Sequence, residues 1–130
     1  MQRSAHGLGR LQNHVMDLVW EMGEATVAQV VERMSRRRRV TYTTVLVAMQ
    51  KLEKKGWLAH RSAGRAYVYR PTRSRQAAAT SLIRELLNTS FRGDPRLLLS
   101  HLLDEHSLSD ADLAELRSLI EARRKEKRHE

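Results

Sequence analysis

Thr43, Val47, Gln50 and Lys54 fall on one stripe when the residues around them are placed at helical intervals, with Thr44 and Lys51 on its shoulder. Two hydroxyls, a branched methyl group and an amide in this order offer no nucleophile paired with a base. They offer hydrogen bonds and apolar contact. Threonine hydroxyls bond either sense of base edge, threonine and valine methyls pack on the thymine methyl, and a glutamine amide pairs with adenine. The stripe therefore suits the reading of base edges at an A·T-rich half-site, since it has no arginine to grip guanine at two points. Lys51, Lys54 and Lys55 suit phosphate, which adds affinity without sequence preference. The same spacing also fits an ordinary amphipathic helix with Thr, Gln and Lys on its solvated face.

The surrounding charge bears on that choice. Up to Thr72 there are thirteen Arg and Lys against five acids, a net charge of +8, whereas the rest of the chain has eleven against ten, a net charge of +1. Solubility would accept charge anywhere on the surface, so the asymmetry points to a polyanion partner for one half. Arg36, Arg37, Arg38 and Arg39 form a run, from which Arg38 and Arg39 are the candidates for backbone contact. Arg61 and Arg65 flank Gly64 at a proposed turn and are candidates for phosphate or a narrow minor groove.

Elements must hold these groups in place. Leu8, Leu11, Val15, Leu18, Val19 and Met22 recur at helical spacing before Gly23, which predicts a helix over about residues 8–22. Trp20 is expected to anchor its end in the core. Thr26 and Gln29 form a capping-box pattern before Val27, Val30, Val31 and Met34, and Thr41 caps a third helix that ends at Gly56. Residues 57–61 and 66–70 read as two strands, with Tyr67 and Tyr69 forming an inward aromatic face. Three helices and a hairpin within about 70 residues make a winged helix-turn-helix, whose third helix enters the major groove.

Beyond Pro71, Ala77, Ala78, Leu82, Ile83, Leu86 and Leu87 mark a fourth helix, and Asp94-Pro95 opens a fifth that runs to about Glu105. Ser109 and Asp112 begin a sixth, with Leu113, Leu116, Leu119 and Ile120 on its face, before the chain frays over residues 123–130. The fold expected is mainly α with a small β-hairpin: a winged-helix DNA-binding domain over residues 1–72 and a three-helix dimerisation region over residues 73–130. From Arg73 onward there are twelve leucines, two isoleucines and one aromatic residue, too few for an independent core. Leu82, Leu86, Phe91, Leu98, Leu102, Leu116 and Ile120 are therefore expected to meet a second copy of the chain, giving a homodimer.

Other classes recede on composition. No apolar run approaches the roughly 20 residues that cross a bilayer, so no membrane partner is expected. The first residues lack the apolar core of a secretory signal, which predicts a cytoplasmic protein. The chain has no cysteine, hence no disulfide, thiolate metal site or iron–sulfur cluster. His101 and Glu105 share the spacing of two ligands on one helical face, but no third ligand has a recognisable spacing. No nucleophile elbow, phosphate-binding glycine loop or catalytic metal motif is present. Neither enzyme activity, a cofactor nor a bound metal is expected.

Four stretches together carry a family resemblance: LGRLQNHVMDLVWEMGEATVAQVVERM, VTYTTVLVAMQKLEKKGWL, GRAYVYRP and SFRGDPRLLLSHLLDEHSLSDADLAELRSLI. In order and spacing the chain resembles the penicillinase and methicillin-resistance repressor family of BlaI/MecI/CopY type over nearly its whole length. That resemblance implies a homodimeric transcriptional repressor on a palindromic double-stranded DNA operator, with half-sites of the TACA/TGTA kind. It places Thr43 and Thr44 at base-reading positions and Lys51, Lys54 and Arg65 at supporting ones. In the β-lactam branch it also implies a sensor-linked protease that cuts within the C-terminal helices. Here Ser100-His101 replaces the asparagine–phenylalanine pair expected at the cut, and the copper branch's cysteine cluster is absent. The releasing signal is left unidentified. The alternative from another class is a basic RNA-associated protein without duplex sequence readout, and it lacks a visible single-strand stacking platform.

Overall fold

The computed structural model describes residues 7–129. In chain order its elements are α1 (Arg10–Met22), α2 (Val27–Ser35), α3 (Tyr42–Lys54), β1 (Leu58–Ala63), β2 (Ala66–Pro71), α4 (Arg75–Ser90), α5 (Pro95–Glu105) and α6 (Asp110–Arg128). The fold is mainly helical with one antiparallel hairpin, as the sequence pattern predicts.

Capping chemistry sets the first three helices. Thr26 accepts from the Gln29 backbone N–H while the Gln29 side chain accepts from the Thr26 backbone N–H, the reciprocal arrangement read from their spacing. Thr41 accepts from the Thr44 N–H and starts α3. At the other end of α3, Gly56 takes a φ of 87°, a conformation that costs little without a Cβ. Its N–H donates to the Glu53 carbonyl at 3.0 Å and the Trp57 N–H donates to the Leu52 carbonyl at 2.9 Å. This is a Schellman ending, and Leu52 and Trp57 are buried together beneath it.

The hairpin pairs His60 with Tyr69, Arg61 with Val68 and Ser62 with Tyr67. Alternation along the strands thus puts His60, Ser62, Tyr67 and Tyr69 on one face and Arg61 and Val68 on the other. The two-residue loop is Gly64-Arg65, with Gly64 at a φ of 63° in the first central position, as primed hairpin turns require. Tyr69 is buried and also bridges Ala25, each donating its N–H to the other's carbonyl at 2.9 Å. Tyr67, expected inward, is 52% exposed. It lies toward the tip, beyond the hydrophobic core, and stacks on His60 with ring centroids 4.3 Å apart.

Two compact units divide the chain, one ending at Ile83 and the other beginning at Arg84. The first extends past Thr72 because the start of α4 packs with the winged helix: Ala78 is buried in the same core as Val15, Val19, Val30, Met34 and Met49. Trp20 packs partly buried against that core rather than within it. In the second unit neither α5 nor α6 has a buried residue. The helix α6 continues to Arg128 instead of fraying from residue 123. Arg124 and Arg128 both pair with Glu121, Arg123 pairs with Glu126, and Lys125, Lys127 and Arg128 sit in the last turn, where positive charge opposes the helix dipole.

Leu52→Ala opens a cavity under the end of α3 and removes the apolar contact of its cap. Chemical denaturation is expected to show a loss of about 2–5 kcal/mol.

Candidate nucleic-acid interface

The sequence of α3 divides its circumference. Val45, Ala48, Met49 and Leu52 are buried, while Thr43, Thr44, Val47 and Gln50 are all exposed, with Val47 at 41%. An exposed valine on a helix so well anchored leaves an apolar contact surface among polar neighbours. The Thr44 hydroxyl lies 2.8 Å from that of Thr41, so one of its hydrogen-bonding positions is engaged, whereas the Thr43 hydroxyl has no partner among the described residues.

Two open grooves flank this face. One, of about 570 Å³, is lined by Arg10, Leu11 and Gln12 from α1, by Arg38, and by Thr43, Thr44, Val47 and Lys51 of α3. The other, of about 340 Å³, runs between α3 and the hairpin and brings Tyr42, Leu46 and Gln50 together with Arg65, Tyr67 and Tyr69. No acidic residue lines either groove.

The acids are engaged elsewhere. Asp17 pairs with Arg75 at 3.5 Å, Glu21 with Arg33 at 3.5 Å, Glu24 with Arg61 at 3.1 Å and Glu32 with Arg36 at 2.9 Å, while Glu53 meets His60 Nδ1 at 2.7 Å. These are the five acids of the basic half. Arg10, Arg38, Arg39, Lys51, Lys54 and Arg65 have no ion pair or side-chain hydrogen bond among the described residues. Each exposed pair is worth little to stability. Their collective effect on the electrostatic surface is larger, because they pair off the acids while Arg10, Arg38, Lys51 and Arg65 stay unpaired along the two grooves.

Of the residues singled out in the sequence, Thr43, Thr44, Val47, Lys51 and Arg38 share one groove, and Gln50 and Arg65 share the other. The arginine run splits: Arg36 and Arg37 line a separate recess with Asp17, Glu21 and Arg33. Arg39 and Lys54 are exposed outside both grooves. Lys55 donates to Gln12 Oε1 at 2.9 Å. Arg61 projects from the opposite face of the hairpin to Tyr67 and Tyr69, where it holds Glu24. The structure thus separates Arg61 from the α3 surface. Arg10, Gln12 and Tyr42 were not singled out in the sequence, and Tyr67 only as an inward-facing strand residue, yet all four line the grooves, with Tyr42 53% exposed. An aromatic residue between the cap Thr41 and the stripe was the available signal for Tyr42. Nothing local marked Arg10, whose place depends on how α1 packs against α3.

The candidate dimerisation residues occupy varied surroundings. Leu116 and Ile120 join Leu99, Leu103, Leu113 and Leu119 along an apolar groove of about 590 Å³ between α5 and α6. Leu82 and Leu98 are half-buried, Leu86 and Leu102 are exposed, and Phe91 is half-buried with its ring 5.1 Å from His101. Among the described residues no group of three or more His, Asp or Glu could hold a metal, and no helix is long and apolar enough to cross a membrane.

Comparison with known proteins adds the family. Residues 8–122 match the family described as Penicillinase repressor. The chain is 34% identical over 107 residues to the transcriptional regulator BlaI of Mycobacterium tuberculosis, covering 81% of this chain and 78% of that protein. It is 24% identical to the penicillinase repressor of Bacillus licheniformis, covering 88% of this chain and 89% of that one. Among solved structures it is similar to the DNA-binding domain of the repressor BlaI, with a TM-score of 0.49 and 23% identity over 57% of this chain and 90% of that domain. A MarR variant from E. coli complexed with operator DNA also matches, with a TM-score of 0.49 and 16% identity over 88% of this chain and 74% of that one.

Burial and the neighbouring Glu53 carboxylate raise the pKa of Tyr69, which lines the hairpin groove, above the ordinary value of 10.0. The folded state therefore holds this proton more tightly than the unfolded chain. Its contribution to stability is complete below pH 10 and declines as pH rises through the higher folded value. Thermal unfolding between pH 9 and pH 11 is expected to show an alkaline loss that is smaller in Tyr69→Phe.

Proposed function

Because this chain belongs to the penicillinase repressor family, we propose that it represses transcription by binding a palindromic DNA operator as a homodimer, with α3 of each copy in a major groove. The observation that carries the reading is the acid-free, cation-rimmed surface around the exposed Thr43, Thr44, Val47 and Gln50. Thr43, Thr44 and Val47 read base edges, and Gln50 pairs with adenine where the half-site presents one. Arg38, Lys51 and Arg65 hold phosphates beside them, with Arg39, Lys54 and Lys55 as outer contacts. Arg61 reaches phosphate only by giving up Glu24, so it ranks last among these.

The α5–α6 groove supports the dimer. Leu119 is 59% exposed and Ile120 52%, on helices without a buried residue of their own, and a second copy would remove that apolar surface from water. Two copies also provide the two recognition helices that a palindrome requires. Release is assigned to a signal acting on the C-terminal helices. Cleavage there by a sensor-linked protease is one route, and Ser100-His101 gives it a different sequence to cut from the family's usual pair.

Binding to a TACA/TGTA palindrome, a scrambled duplex and a structured RNA at one salt concentration tests the proposal. The palindrome is expected to bind tighter than the scrambled duplex by about 10³-fold or more. Equal affinity for all three rejects operator reading and favours a general RNA-associated or polyanion-binding role. Thr44→Ala should relax selectivity at one or two base pairs by about 1–3 kcal/mol, whereas Arg38→Ala should weaken every duplex alike and lower the salt slope by about one. Sedimentation across a concentration series reads the dimer: Ile120→Glu is expected to shift the chain towards the monomer, and an unchanged mass excludes the α5–α6 groove as the contact.

A further inference from the structure

The groove between the start of α1 and α3 combines apolar walls with unpaired cations, and both its size and its lining suit a small organic ligand as well as a duplex. Its volume of about 570 Å³ lies within the roughly 300–1,000 Å³ of cavities that hold such ligands. Leu11, Val47 and Ala48 supply the apolar walls, and Val47 is left 41% exposed on a helix whose opposite face is buried. Arg10, Arg38 and Lys51 line the same space without an ion pair or side-chain hydrogen bond among the described residues. Gln12 accepts from Lys55 Nζ at 2.9 Å through Oε1, while its amide nitrogen has no partner among the described residues. The first turn of α1 lines this groove, behind a Gly9 that supplies no side-chain cap and without an acid, so no side chain neutralises the positive end of the helix dipole there. All of these residues belong to the unit that ends at Ile83.

We propose that this groove is also an effector site: it takes a small organic anion with an apolar body, an aromatic or medium-chain carboxylate, and its occupation releases the operator. The proposal deepens the DNA-binding reading above and rests on it, because the effector acts by covering Thr43, Thr44 and Val47, the surface that a half-site needs. Inorganic phosphate would satisfy the cations and leave the apolar walls in water, whereas a neutral hydrocarbon would cover the walls and leave the cations without a partner. A carboxylate on an apolar body answers both. Because effector and half-site overlap on one surface, release follows from exclusion and requires neither cleavage nor a change of fold. It is a route separate from a signal at the C-terminal helices, and one copy of the winged helix contains every residue it uses.

The test uses the full chain and two probes, 2-naphthoate and decanoate, with 2-naphthylmethanol as the uncharged counterpart and acetate as the anion without a body. Titrated into the DNA-free protein, the two carboxylates are expected to shift the backbone amides of Leu11, Gln12, Val47 and Ala48. The alcohol and acetate should each bind at least about tenfold more weakly, the scale of one lost charged hydrogen bond or of one uncovered apolar body. At ten times its own Kd, 2-naphthoate should weaken binding to a single half-site about tenfold at constant ionic strength. Leu11→Gln should weaken 2-naphthoate, and if that variant fails to fold, Lys51→Gln at an exposed position is read in its place. Failure of both carboxylates to move these amides at millimolar concentration overturns the proposal, as do shifts centred on Leu99, Leu116 and Ile120 or an alcohol that binds as well as the acid. Carboxylates that fill the groove while the operator stays specifically bound overturn the effector role alone. A wild type with no preference for the palindrome over a scrambled duplex removes the operator reading, and the effector role with it.

Discussion

Every carboxylate of the basic half is held by a partner, and none of them lines the grooves beside α3. This partition of charge is the constraint on which the rest of the site depends. Asp17 and Glu21 line a recess with Arg33, Arg36 and Arg37, Glu24 secures Arg61 on the far face of the hairpin, and Glu53 meets His60 at the base of the wing. What is left around the exposed threonines is cationic, with no internal anion to compete. A phosphate arriving there displaces water and counterions rather than a carboxylate, so its binding does not first cost the rupture of an ion pair. Had one acid faced the groove of Arg10, Arg38 and Lys51, the same composition would have supported a much weaker polyanion surface.

Geometry must be as secure as charge for such a surface to discriminate between sequences. The hydroxyl of Thr41 defines where α3 begins, the Gly56 turn defines where it ends, and four side chains bury its inner face between those points. Tyr69 ties the hairpin to the turn between α1 and α2, while His60 links it to α3 through Glu53. Helix and wing are thus braced against one core, and Thr43, Thr44 and Val47 project from a scaffold whose position does not depend on their own contacts. The second unit is built on another principle: its helices are well capped but bury no side chain, which leaves leucine and isoleucine faces available to a partner.

The amphipathic division of α3 was legible in the sequence because helical periodicity and an N-cap threonine are local signals. So were the capping boxes at Thr26 and Ser109 and the proline at the first position of α5. The members of the site that depend on tertiary neighbours were less accessible. Arg10 reaches the groove only because α1 packs across α3, and Arg61 leaves it because strand register turns it to the other face, where Glu24 waits. Four adjacent arginines could not be ranked by composition. Their placement around the end of α2 sends Arg36 and Arg37 to one side and Arg38 to the other. Tyr67 was misplaced for a related reason: alternation identifies the face of a strand but not how far the core extends beneath it.

Backbone amide shifts recorded while a palindromic duplex is titrated into the protein measure the central claim most directly. The account predicts that the largest changes fall on Arg10, Arg38, Thr43, Thr44, Val47 and Arg65, with Glu21, Arg33 and Arg36 little affected. Changes centred on the recess of Asp17, Glu21, Arg33 and Arg36, with the α3 threonines unmoved, would contradict it.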